Sequence, residues 1–395
     1  MTNQHSTIKD KHIFFLSASD RINYGDLLFP IIFEKMMGNS DYVFHNYGII
    51  SSNLENFGAL PTHSYATMLK DIEKYSGKLV IGGGEVLFSE WETLFGFISG
   101  TYSRLNANKL FSKIERRLQI AKRTLGGQKV SLPFSPHPEE LNKSDLNIYY
   151  SSVGGQFYGD LKWKKNKDAL HAMEAAKYIS VRDQRSKDSL NAAGLNAKLV
   201  PDSALIMSDY FSLENLIKES KVSPEIYREP CMFVQLGRFK GPDDLSLFGQ
   251  KLKTISKALQ LKVVLCPIGI APGHEDDIIL KELASRNDDF VFVMPASISD
   301  IMLLIAQSQF YLGTSLHGLI TAQSFNVPHL PLNKKITKAV SYLNTWVDDS
   351  LRAADFTDDF YVIDTFKKWK TEKINKNTDL QKEMVRNNLK YILQD

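Results

Sequence analysis

A histidine set among small hydroxylated residues carries the strongest chemical signal in this 395-residue chain. In Tyr311-Leu312-Gly313-Thr314-Ser315-Leu316-His317-Gly318-Leu319-Ile320, an apolar strand-like run passes through a small-residue turn into apolar residues at helical spacing. Thr314 and Ser315 stand at the expected N-cap. A helix start favours an anion, because its first N–H groups lack intrahelical partners and the dipole is positive there. His317, in the first turn, could exchange a proton beside a bound phosphate or carboxylate. A cap with a structural histidine would explain the same residues without any ligand.

Further candidates lie where other apolar runs end. Asn23, Gly25 and Asp26 follow the run Ile13-Phe14-Phe15-Leu16, with Asp26 an N-cap candidate for the helix after it. Gly82, Gly83 and Gly84 end the run Leu79-Val80-Ile81, with Glu85 beside them. Three glycines imply positive φ or a close backbone approach, yet neither the G-x-G-x-x-G spacing nor a P-loop lysine is present. Arg182 and Asp183 follow Tyr178-Ile179-Ser180-Val181, and Asp202 follows Lys198-Leu199-Val200-Pro201. The planar Arg182 fork suits a carboxylate or phosphate clamp, and it equally suits an ion pair with Asp183 or Asp202. Arg238 and His274 sit on glycine-containing loops of the second half. The nine histidines show no metal-ligand spacing and only Cys231 and Cys266 occur, so no metal site or disulfide framework is expected.

These residues need a frame, and the chain supplies an alternation of strands and helices in two blocks. That pattern implies an α/β protein of two Rossmann-like, doubly wound domains facing a cleft. The expected division is residues 1–215, residues 216–375 and a C-terminal helix in 376–395 that returns to the first domain. The carboxyl ends of both sheets would bring Gly82 to Gly84, Arg182, Arg238, His274 and His317 around one ligand. Residues 91–138 are the least regular. Within them Phe111, Ile114, Leu118, Ala121 and Leu125 follow one helical stripe, opposite a basic face of Lys109, Lys113, Arg116, Arg117, Lys122 and Arg123. That face reads as solvated, or as a rest for an anionic membrane or an acidic acceptor.

A net charge of +3 gives no reason to expect nucleic acid. No window approaches the ~20 apolar residues of a membrane span. The expected location is the cytoplasm, with at most peripheral association at the inner face of the membrane.

The ordered set Asn23-Tyr24-Gly25-Asp26, Gly82-Gly83-Gly84, Ser180-Val181-Arg182-Asp183, Pro201-Asp202 and Gly313 to Gly318 resembles the polysaccharide pyruvyl transferase family. The resemblance implies a two-lobed fold like that of the B-type glycosyltransferases (GT-B). It also implies transfer of a pyruvyl ketal group from phosphoenolpyruvate to a sugar of a capsular or exopolysaccharide repeat, free or lipid-linked, without a cofactor. His317 would serve as acid or base, with Asp26 as its counterpart. Arg182, Arg238, His274, Gly313, Thr314 and Ser315 would hold the donor. Members often carry Arg two residues before the histidine, where this chain has Ser315. Serine brings no charge to a donor phosphate, which keeps open a glycosyltransferase with a nucleotide-sugar donor, and a non-catalytic assembly partner.

Overall fold

The computed structural model describes residues 11–395 apart from 39, 128, 158 and 373–376. Among the described residues, two all-parallel sheets form the frame. The first contains β1 (Lys11–Leu16), β2 (Tyr42–Tyr47), β3 (Gly77–Gly82), β4 (Asn147–Val153), β5 (Tyr178–Val181) and β6 (Lys198–Leu199), in the order β2-β1-β3-β4-β5-β6. The second contains β7 (Cys231–Gln235), β8 (Lys262–Leu265), β9 (Val291–Phe292), β10 (Phe310–Gly313) and β11 (His329–Pro331), in the order β11-β10-β7-β8-β9.

The strands are continuous apolar runs because both faces of each sheet are covered by helices. Alternation sorts their side chains between two cores. Ile13 and Phe15 pack with Leu28, Ile32 and Phe33 of the helix Tyr24–Met37, while Phe14 and Leu16 pack with Tyr65, Met68 and Ile72 of the helix Tyr65–Lys74. Cys231 and Phe233 likewise join the first core, and Met232 and Val234 face a third cluster. The first core runs without a break from Phe15 in one sheet to Phe233 and Tyr311 in the other.

Residues 207–228 connect the lobes as the short helices Met207–Tyr210, Leu213–Glu219 and Glu225–Arg228. The helix Thr378–Gln394 crosses back to the first sheet. Lys78 donates to the carbonyls of Ile392 and Leu393 at its end, and Tyr178 donates to Asn388. Lysine at a helix C-terminus complements the dipole. No described helix is long and apolar enough to cross a membrane.

Two local expectations need correction, and one strand escaped the sequence. The N-cap of the helix after β1 is Asn23, and Asp26 lies in the first turn accepting 2.6 Å from Asn23 Nδ2. The stripe drawn from Phe111 to Leu125 does not form one helix, because Gln119 (φ 51°) divides it into Lys109–Leu118 and Ile120–Thr124. Glu115 is buried there while Ile114 and Leu118 are exposed. The strand β11 gave no signal in the sequence, since three residues containing a proline make too short a run.

Candidate active site

The carboxyl ends of the two sheets meet at a cavity of about 310 Å3. The loop after β1 contributes Arg21 and Asn23 and the helix behind it Asp26, the loop after β3 contributes Gly84 and Glu85, and the end of β5 contributes Arg182. From the second sheet come Gln235 and Gly237, the loop after β8 with Gly269, His274 and Asp276, and the start of the helix Leu316–Ser324. Lys240 and Lys338 complete the wall.

The turn from β10 into that helix is built as the sequence implies, with one division of labour. Ser315 is the N-cap, accepting from Gly318 N. Thr314 points inward instead: its hydroxyl accepts from Gly237 N (2.8 Å) and reaches Gln235 Oε1 (3.2 Å). Gln235 in turn donates to Asp276 Oδ2 (2.7 Å). The glycines of the motif have a packing reason: a Cβ at Gly313 or Gly318 would overlap the Tyr311 ring and hydroxyl, and that hydroxyl donates to Ser315 O at 3.1 Å. Gly313 therefore supports the turn from behind and does not line the cavity.

His317 lies at the floor of the cleft with its side chain 9 % exposed. Its ring rests on Gly25, where any Cβ would overlap the imidazole, and meets Phe29 edge-on at 5.4 Å. Gly25 is thus the seat of the histidine and not part of the lining. Nε2 has no hydrogen-bond partner and lies 3.7 Å from Asp202 Oδ2, an ion-pair distance once the ring is protonated. Burial would raise the Asp202 carboxyl, but His317 and Arg182 outweigh it and hold the group below the usual carboxylate range.

Arg182 is buried and its guanidinium is already committed. It donates to Asp202 (3.1 Å) and Glu85 (3.1 Å), with Asp183 at 4.0 Å. The ion-pair reading of Arg182 therefore describes its geometry, and an exposed anion clamp does not. Glu85 also accepts from Arg185 (2.6 Å); these cations outweigh burial and lower its pKa. Asp183 caps the helix Gln184–Ala192 through Ser186 N, and lies behind the cavity with Asp202. Gly82 and Gly83 are packed against Phe15 and Phe29; only Gly84 reaches the lining, and Gly83 and Gly84 take the positive φ expected of them (46° and 77°). Arg238 turns away to pair with Glu275 at 2.9 Å and does not line the cleft.

The sequence singled out none of the cations Arg21, Lys240 and Lys338 of this lining, and Lys338 lies in the helix Thr337–Tyr342. Burial, then Lys240 and Arg182, draw its ammonium down to about 8, against the pull of Glu85 and Asp26. Among the described residues it makes no hydrogen bond or ion pair, so its charge is available to a ligand. His274 is pulled down to about 4, mainly by burial and then by Lys240, Lys338 and Arg21 against Asp26, and is neutral near pH 7. Asp276 is pushed up to about 6 by burial, although Gly269 N, Gln235 and Ile268 N donate to it.

One trio outside the cleft brings metal-binding residue types together: donor atoms of His137, Glu139 and His171 lie within 4.8 Å of one another. The sequence spacing hid it, since 34 positions separate the two histidines. Their rings stack nearly parallel (9°) at 4.0 Å, so their in-plane lone pairs do not converge on one ion.

Two facing parallel-sheet lobes with a polar cleft between their carboxyl edges define the GT-B class of enzymes. UDP-GlcNAc 2-epimerase from Methanocaldococcus jannaschii shares the fold with a TM-score of 0.57 and 13 % identity, over 96 % of this chain and 99 % of that one. The Neisseria meningitidis UDP-GlcNAc 2-epimerase, bound to UDP-GlcNAc, gives a TM-score of 0.54 and 11 % identity over 97 % and 98 %. Residues 23–334 match the polysaccharide pyruvyl transferase family, and the chain belongs to that family of transferases of polysaccharide biosynthesis. A comparison with curated protein sequences finds no match.

Proposed function

We propose that this transferase builds pyruvate ketals, taking a three-carbon unit from phosphoenolpyruvate and bridging two hydroxyls of a sugar destined for a capsule or exopolysaccharide. The observation that carries the reading is the meeting in one cavity of a free cation, Lys338, a helix start at Ser315 and His317, which Asp202 backs from behind at 3.7 Å. Donor phosphate and carboxylate would lie between the helix start and Lys338, Lys240 and Arg21, which supply the positive charge that Ser315 lacks.

Ketal formation requires an acid and a base. Asp26, steadied by Asn23, takes the proton of the first sugar hydroxyl as its oxygen bonds to the vinyl carbon bearing phosphate. The His317 imidazolium gives its proton to the terminal CH2, making the methyl group. Asp202 stays ionised beside it and stabilises the charged ring. The C–O bond to phosphate then breaks with its electron pair, the second hydroxyl oxygen takes its place, and that hydroxyl proton leaves with the phosphate. The methyl proton thus comes from His317 and the first hydroxyl proton rests on Asp26. A proton passing from Asp26 to His317 through solvent restores both groups, while the second hydroxyl proton leaves on phosphate. No cofactor takes part in this scheme, and the acceptor is a saccharide, free or lipid-linked, met at the cytoplasmic side.

Calorimetry with phosphoenolpyruvate and a panel of nucleotide-sugars tests the donor. Wild type should bind phosphoenolpyruvate saturably, and His317→Ala should keep that binding while losing at least ~10²-fold in acceptor-dependent phosphate release. Binding of a nucleotide-sugar in place of phosphoenolpyruvate would move the reading to glycosyl transfer.

A further inference from the structure

The basic segment beyond the first cleft helix has no part in this chemistry. The helix Lys109–Leu118 turns Glu115 inward, where its carboxylate accepts 2.9 Å from Ala121 N and caps the next helix. Phe111, on the same side, meets Tyr102 edge-on at 5.9 Å. Beside this buried side run Leu110, Ile114 and Leu118, at i, i+4 and i+8, which are 71, 49 and 45 % exposed. On their other flank stand Lys109, Lys113, Arg116 and Arg117, all exposed.

An exposed leucine alone needs no explanation, but three in one row, with Leu105 also exposed nearby, form a continuous apolar ridge. The charge pattern is equally one-sided. Residues 100–124 contain seven Lys or Arg and a single acid, Glu115, which is buried. A solvated helix face normally interleaves both signs. Among the described residues none of these cations forms an ion pair.

We infer that this helix docks the enzyme on an anionic lipid bilayer, with the Leu110–Ile114–Leu118 ridge between headgroups and the Lys/Arg flank on lipid phosphates. A second copy of the chain fits poorly, since a two-fold contact would set this basic flank against itself. The docked side adjoins the cleft. The neighbouring helix Trp91–Ile98 gives Thr93, Leu94 and Phe97 to the cavity wall. A groove of about 580 Å3 lies between Phe97 and Tyr102 on one lobe and Phe239 and Pro272 on the other. A saccharide carried on a membrane lipid would meet the cleft from that side. The inference does not depend on which donor the cleft holds.

Flotation of the purified full chain with vesicles tests it. Wild type should rise with vesicles containing phosphatidylglycerol, stay behind with pure phosphatidylcholine, and release as salt is raised. Leu110→Asp with Ile114→Asp, and separately Lys113→Glu with Arg117→Glu, should each cut the vesicle-bound fraction at least about tenfold. Both pairs should leave the thermal midpoint unchanged, because all four side chains are exposed. Wild type that does not rise, binding unchanged in both variants, or a dimer in sedimentation that Leu110→Asp splits without any vesicle binding would each overturn the inference.

Discussion

His317 and His274 both face the cleft, yet their surroundings differ. His317 lies beside a carboxylate held ionised, and His274 is kept neutral near pH 7 by burial first and by nearby cations second. On the proposed reading, the donor contact most sensitive to pH belongs to Lys338. Its ammonium, drawn down to about 8, loses its proton as pH rises through that value, so donor affinity should fall between pH 7 and 9. Lys338→Gln should weaken donor binding roughly 10- to 100-fold, the worth of one charged hydrogen bond, and should abolish that alkaline limb. Titrating Kd against pH for both proteins separates this from a general loss of fold.

Asp276 makes a stability prediction at the same scale. Its native carboxyl is pushed up to about 6 by burial, and an unfolded aspartate titrates near ~3.9. Protonation therefore favours the native state. The contribution is whole below pH ~4 and is lost as pH rises through about 6, a span of roughly 3 kcal/mol. Asp276→Asn should match wild type in urea unfolding at pH 4 and exceed its stability at pH 8.

At the scale of elements, the helix Tyr24–Met37 does two jobs: it covers the first sheet and presents Gly25 as a seat for a histidine from the other lobe. Gly25→Ala should displace the His317 ring. Turnover should then fall far more than the ~1–3 kcal/mol of stability expected from overpacking, which paired kinetics and thermal melts would show. The element pattern was legible because parallel strands buried on both faces read as unbroken apolar runs. His317 at a helix start was legible for the same reason. Its partner was not, because Asp202 lies 115 positions earlier and only the folded chain sets Nε2 within 3.7 Å of it. Lys338 left no mark either; it follows no glycine turn or hydroxyl cap, and its value lies in lacking a partner. The face of Lys109–Leu118 was misread because period alone cannot show that Glu115 is wanted inside as a cap.

For the whole molecule, the helix Thr378–Gln394 ties the C-terminus to the first sheet and braces the junction of the lobes. Val385, Leu389 and Ile392 are fully buried, and Lys382 donates to Ser208 (2.7 Å) and to the carbonyl of Ser324 (3.0 Å). Deleting residues 378–395 should remove those three aliphatic side chains, uncover the core surface they shield and cost on the order of 5 kcal/mol, enough to abolish a cooperative melting transition in calorimetry.

The imidazole of His317 comes from the second lobe, while its carboxylate, Asp202, and its seat, Gly25, come from the first. A hinge motion that parted the lobes would therefore separate His317 from both Asp202 and Gly25. On the proposed chemistry, opening and disarming would be one event, and a donor ester entering an open enzyme would meet no assembled acid. The split ownership would then be a built-in safety catch against spilling the donor's phosphate to water.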